Sequence, residues 1–182
     1  MKRLFVPLML AAPLAAQTYE LGLNVSRQTY TRSTVTGTTT VFDYDAKTVV
    51  ALRAGYAFVD FGPALFQVTA AYQPKVDTDL KPNGITMPTR LGSEYWALGA
   101  MFQFKAVVSV GAGLDCRFEK ATKANVYSST QSFTRPWARV NAGYALPSPV
   151  LKPFIGLEVA APLISKDERP KLQVGLYGGI RF

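Results

Sequence analysis

Eight separate runs of the chain alternate strictly between apolar and other residues, and this pattern restricts the fold more than any other feature. The apolar positions are Tyr19 to Val25, Val50 to Phe58, Phe66 to Tyr72, Trp96 to Phe104, Val108 to Phe118, Ala138 to Leu146, Ile155 to Ala161 and Leu172 to Phe182, taken at every second residue. A period of two places alternate side chains on opposite faces of a β-strand. None of these positions is charged. The intervening positions carry small, polar and charged residues, among them Gly22, Asn24, Gln67, Thr69, Gly99 and Asn141.

Alternation alone leaves two arrangements open, because a soluble barrel hides its apolar face whereas a membrane barrel turns it outward. Three observations favour the membrane arrangement. Aromatic residues of the apolar set, Phe58, Phe66, Tyr72, Trp96, Phe104, Phe118 and Tyr144, sit near the ends of their runs, where girdles at the two membrane interfaces require them. The other face is rich in glycine and alanine, as the crowded inside of a narrow barrel demands. The connections also alternate in length. They are short around Val59–Pro63, Lys105–Val107 and Pro147–Pro153, and long over Arg27–Ala46, Gln73–Glu94, Lys120–Arg135 and Pro162–Lys171. Short periplasmic turns and long extracellular loops follow that order in outer-membrane barrels. In hydrocarbon every backbone N–H and C=O needs a partner, so the sheet must close. The expected fold is all-β: an eight-stranded antiparallel up-and-down transmembrane β-barrel, with the first strand paired to the last.

The N-terminus supplies an export route. Lys2 and Arg3 precede the apolar stretch Leu4–Ala12, and residues 13–17 offer an imperfect cleavage region, so residues 1–16 read as a signal peptide and 17–182 as the barrel. Cys116 is the single cysteine and falls in the apolar set, which excludes an internal disulfide and makes it a small lipid-facing side chain. The basic balance, +8 for the full chain, is dispersed without interleaved aromatics, so nucleic acid is not an expected partner.

The last strand, Leu172 to Phe182, ends on an aromatic after alternating apolar residues, and in this it resembles the terminal signal read by the barrel assembly machinery. Val174, Leu176, Ile180 and Phe182 occupy the pattern's apolar places, while Gly178 departs from it. The whole segment 17–182 resembles the small eight-stranded outer-membrane barrels, the group of the outer-membrane protein A and X barrel domains. That resemblance implies the outer membrane of a Gram-negative-type bacterium, contact with its lipid and lipopolysaccharide, and a cell-surface or porin-like role.

Inside such a barrel, Glu20, Asp115, Glu119 and Glu158 face Arg53, Arg117, Arg139 and Arg181, four acids against four bases. Counting from the periplasmic ends puts Arg53, Asp115, Arg139 and Glu158 at one depth and Glu20 near Arg181 across the closing seam. Buried charges are costly unless paired, so the expectation is a plugged, salt-bridged interior. The chain has no histidine, which removes a serine-histidine-acid arrangement and histidine metal sites. No catalytic, metal or cofactor site is expected, and the chain reads as a non-enzyme. Function then falls to the loops, of which the first is rich in threonine (Thr29, Thr31, Thr34, Thr36, Thr38, Thr39, Thr40, with Tyr30) and the third in serine and threonine (Tyr127 to Ser132). Lys166, Arg169 and Lys171 in the last loop are a candidate contact for lipopolysaccharide phosphates. A structural or adhesin-like surface barrel ranks first, a small channel or transporter for apolar or ionic solutes second, and an exported soluble ligand-binding barrel third.

Overall fold

The structure, a computed structural model, describes residues 18–34, 41–82, 89–105, 107–124, 128–146 and 151–182. The expected signal peptide, Gln17, and the loop residues Thr36, Thr38, Thr39, Thr40 and Tyr127 lie outside the described residues. Ten strands are described: β1 (Thr18–Tyr30), β2 (Ser33–Thr34), β3 (Val41–Tyr44), β4 (Lys47–Asp60), β5 (Ala64–Pro82), β6 (Arg90–Phe104), β7 (Ser109–Ala124), β8 (Ser129–Ala145), β9 (Lys152–Pro162) and β10 (Pro170–Arg181).

Eight of them form the barrel. From β4 through β10 each pairs antiparallel with the next, and β1 closes the ring by pairing with both β4 and β10. The seam is long and regular, running from Glu20↔Arg181 to Thr29↔Leu172 before a single irregularity at Tyr30. The apolar set faces outward: Leu157 is 61 % exposed, while the inward Trp137 is 0 % exposed. A soluble barrel requires the reverse, so the apolar runs form the surface of a membrane-spanning barrel.

Aromatic rows mark the two margins of the apolar surface. Tyr72, Trp96 and Phe118 lie opposite one another on β5, β6 and β7, and the Trp96 and Phe118 rings stack at 4.1 Å. At the other margin Phe66 meets Phe102 at 4.8 Å, and Tyr19 contacts Tyr56 at 5.3 Å and Phe182 at 5.9 Å. On β6, Trp96 and Phe104 are about 26 Å apart along the strand at roughly 3.3 Å per residue, or ~20 Å across a membrane at the usual tilt. An apolar belt about 25 Å tall therefore fits, with the rings at its edges.

The strands outrun the belt, and here the structure corrects the expected loop boundaries. β5 has 19 residues and β8 has 17, whereas about 9–11 suffice to cross. Most of the expected loops Gln73–Glu94 and Lys120–Arg135, and Ser129 to Ser132 of the serine-rich stretch, are paired strand. Above the lipid the outer face meets water, so Glu94 and Lys120 replace apolar residues there, and the outward apolar alternation stops although the hydrogen-bonded ladder continues. A bulge between Gln73 and Val76 sits where β5 leaves the belt.

This extension, which we call the crown, is one-sided. β4 pairs with β5 only up to Leu52↔Tyr72, above which the β2–β3 hairpin takes over through Tyr44↔Leu80 and Phe42↔Pro82. On the other side the β8–β9 pairing ends at Trp137↔Pro162. The crown is thus an open sheet, β2-β3-β5-β6-β7-β8, standing on four adjoining barrel strands.

Candidate functional site

Two groups of polar side chains offer themselves: the barrel interior and the crown. Strand alternation aims Glu20, Arg53, Asp115, Arg117, Glu119, Arg139, Glu158 and Arg181 inward, and all are buried. Arg181 Nε lies 2.9 Å from Glu20 across the seam, and its Nη2 donates to Gln103 Oε1 at 2.8 Å. Arg53 Nη2 reaches Glu158 Oε2 at 2.6 Å, Arg139 Nη2 reaches Asp115 at 3.1 Å, and Arg139 Nη1 lies 3.9 Å from Glu158. The four residues counted to one depth form one connected group, which Asn24 and Thr69 extend by a hydrogen bond each.

The interior departs from the four-against-four count in one respect. Arg135 also points inward, so five arginines face four acids. It takes Glu119 through Nη2 at 2.6 Å, leaving Arg117 without a carboxylate. Arg117 instead lies between two aromatic faces, 3.8 Å from the Trp137 ring centre and 4.4 Å from that of Tyr95, and donates to Gln173 Oε1 at 2.7 Å. A guanidinium over an indole face gains electrostatically from the ring quadrupole, more so when desolvated. Arg135 was missed because it ends a segment read as loop; its parity with Trp137 and Arg139 is the signal that reveals it. The inward face also holds large residues that the polar pattern concealed: Trp137, Tyr95, Phe154, Tyr177 and Met101. Among the described residues no group of three or more His, Cys, Asp or Glu side chains is placed to hold a metal ion.

Of the remaining expected residues, Phe58, Phe66, Tyr72, Trp96, Phe104 and Tyr144 are exposed on the outer surface and Phe118 is half-buried against Trp96. Val174, Leu176, Ile180 and Phe182 face outward on β10, in one line beside β1.

The crown carries a small core of its own: Tyr30, Tyr44, Leu80, Leu91 and Ala121, with Phe133 packed against it. The Tyr30 hydroxyl bonds Ser93 Oγ at 3.1 Å and accepts from Gln28 at 2.8 Å. Burial pushes the Tyr30 phenol above its ordinary pKa of 10, against the hydrogen bonds that lower it. Tyr44 is raised further, first by burial and then by the nearby Glu168 carboxylate.

The β9–β10 connection folds over the top of the lumen. Arg135 holds it through the carbonyls of Pro170 (3.0 Å) and Ile164 (3.4 Å), and Lys123 Nζ binds Glu168 at 3.0 Å. Glu168 adopts a φ of 55°, which turns the chain sharply and sends Arg169 back towards β8, where it donates to Gln131 Oε1 at 2.5 Å. Arg169 and Lys166 stand 4.7 and 5.3 Å from the Phe133 ring centre. Burial lowers the Arg169 pKa from the usual guanidinium value. Between this loop and β8 runs an open cleft of about 520 Å³, lined by Gln131, Ser132, Phe133, Lys166, Asp167 and Arg169. Lys171, grouped with Lys166 and Arg169 in the sequence, does not line it.

A closed eight-stranded barrel with an aromatic-edged apolar belt and a polar, filled lumen defines the class: a small outer-membrane β-barrel. Solved structures agree on the fold. OprG from Pseudomonas aeruginosa superimposes with a TM-score of 0.64 at 12 % identity, covering 91 % of this chain and 95 % of OprG. Neisserial surface protein A gives 0.53 at 16 % identity, over 91 % and 95 % of the two chains. Ail, the attachment invasion locus protein of Yersinia pestis, gives 0.51 at 17 % identity, over 91 % and 98 %. No protein-family model matches the chain, and no curated protein matches it.

Proposed function

We propose that this outer-membrane barrel is a non-catalytic surface-interaction protein, in which the packed barrel is the membrane anchor and the crown engages an extracellular partner. One observation carries the reading: β5 to β8 continue as paired strands beyond the belt and close over a buried core of their own. Loops that serve only to connect strands have no need of that order. The interior supports the same reading, since its cross-section is filled by Trp137, Arg135, Arg139 and Met101, each fully or nearly fully buried, and all its charged groups but Arg117 are paired with one another. Small-channel activity requires that network to part. Ail, of the same fold, is named for attachment and invasion.

The outward line Val174, Leu176, Ile180 and Phe182 fits recognition by the barrel assembly machinery, and the belt fits a lipid and lipopolysaccharide surround. The test is to express the chain in a surrogate outer membrane beside a variant whose β5–β6 and β7–β8 connections are shortened to the belt. Greater cell adhesion or aggregation with the full crown is expected. Equal adhesion by both, or unitary conductance of the purified barrel in planar bilayers, overturns the reading in favour of a structural barrel or a channel.

A further inference from the structure

At the end of the barrel away from the crown, where the short turns lie, the mouth of the lumen holds a cavity of about 140 Å³. Three cations line it, Lys105, Lys152 and Arg181, against the carboxylate of Asp60. They are brought together by strand ends: Asp60 closes β4, Lys105 follows β6, Lys152 opens β9 and Arg181 closes β10. Two of the cations are answered within the fold. Lys105 Nζ donates to both Asp60 oxygens, at 2.7 and 2.6 Å, and Arg181 gives its Nε to Glu20 and its Nη2 to Gln103. Arg181 Nη1 and Lys152 Nζ have no acceptor among the described residues.

Lys152 is the exception to the way this interior treats charge. Deeper in the lumen Arg53, Arg135 and Arg139 each meet a carboxylate, and Arg117 meets two rings. No carboxylate of the described residues reaches Lys152, and the main-chain oxygen of Phe182 is taken by Tyr19 N–H at 2.8 Å, on the other side of β10. The β9–β10 register also sets Lys152 directly opposite the inward Arg181. Like charges directly opposite on neighbouring strands are destabilising. Here the pair faces a cavity several times the ~30 Å³ share of a water molecule, open to solvent at the rim where Lys152 is exposed.

We propose that the mouth is an oxyanion site, in which a phosphate group enters the cavity and bridges Lys152 Nζ to Arg181 Nη1. Arginine offers a planar fork suited to phosphate and lysine a point charge, and the diverging oxygens of a tetrahedral group reach two cations on neighbouring strands at once. The phosphate is carried by a free ion or by the head group of a phospholipid in the adjoining leaflet. The site lies at the opposite end of the molecule from the crown and does not depend on the surface-interaction reading.

The test uses the chain refolded in a phosphorus-free detergent, titrated with inorganic phosphate and followed by the width of the phosphate resonance in phosphorus NMR. Saturable broadening is expected, and Lys152→Gln should weaken it roughly tenfold or more while heat-modifiable gel migration persists. Lys152→Glu places a carboxylate opposite Arg181, so it should abolish phosphate binding and raise the phosphate-free unfolding midpoint in urea. Phosphatidylglycerol added to the micelles separates the sources: displacement of the bound phosphate assigns the site to the head group, and retention assigns it to the free ion. Absence of saturable broadening, equal binding by Lys152→Gln, or displacement by an equal concentration of chloride overturns the proposal, the last because it reduces the cavity to ionic screening.

Discussion

Arg117 and Arg139 are both buried guanidiniums on the inward face, yet they are held by different means. Arg139 lies in the Asp115–Glu158–Arg53 group, so removing it leaves two carboxylates with one arginine between them. Breaking a buried pair costs about 3–5 kcal/mol, because the surviving charge is stranded. Arg117 strands no carboxylate, since its partners are two rings and an amide. Arg139→Met is therefore expected to lower the unfolding midpoint of the refolded barrel in urea far more than Arg117→Met. Equal losses contradict this division of roles. Glycine matters at this scale too. A Cβ on Gly179 would meet the Leu21 carbonyl oxygen of the facing strand and approach Gly22 Cα to 2.6 Å, both backbone atoms with no rotamer to yield. Gly179→Ala should cost on the order of 1–3 kcal/mol, read as slower acquisition of the heat-modifiable form.

At the scale of the elements, the crown has its own pH response. Tyr30 and Tyr44 bind their protons more tightly in the fold than the ordinary phenol value of 10. Their contribution to stability is complete below pH 10 and is lost as the pH rises through the folded values. The crown should loosen only above pH 10, before the barrel opens. Tyrosinate absorbance should show a late-titrating fraction that shrinks when Tyr30 and Tyr44 are replaced by phenylalanine. The crown is also the part that the sequence concealed. Within the belt each strand was legible, because lipid demands an apolar residue at every second position, as in Leu98, Ala100 and Phe102. Above it that demand lapses. Lys120 and Thr122 on β7 are strand residues by hydrogen bonding yet read as loop by composition, and Arg135 disappeared from the interior with them. Trp137 and Tyr95 were hidden for a related reason: an interior packed by a few large rings among polar residues gives no periodic apolar signal.

For the whole molecule, the ring of pairings from β1 to β10 leaves no free edge within the belt, so detergent has no seam to enter while the barrel is cold. The refolded chain should migrate faster on gels before boiling than after, and recovery in outer-membrane fractions should follow that form. A single unheated band at the boiled position would count against closure. The interior's fifth arginine belongs to this scale as well, because it gives the lumen an excess of one positive charge. Arg139→Met removes that excess, so should it open a conducting path, the path is expected to discriminate little between anions and cations, measured as a reversal potential near zero under a salt gradient.

Because the tall strands all rise on one side, the molecule has a front and a back at the cell surface. Over β9 and β10 the wall is lower, and a partner arriving from that side meets the β9–β10 connection folded against β8; from the opposite side it meets only the outer face of the tall sheet. A barrel free to spin in its membrane thus captures a partner only through part of each turn, whereas a barrel held in one rotational setting by its neighbours would display a patch of membrane that is adhesive from a single direction.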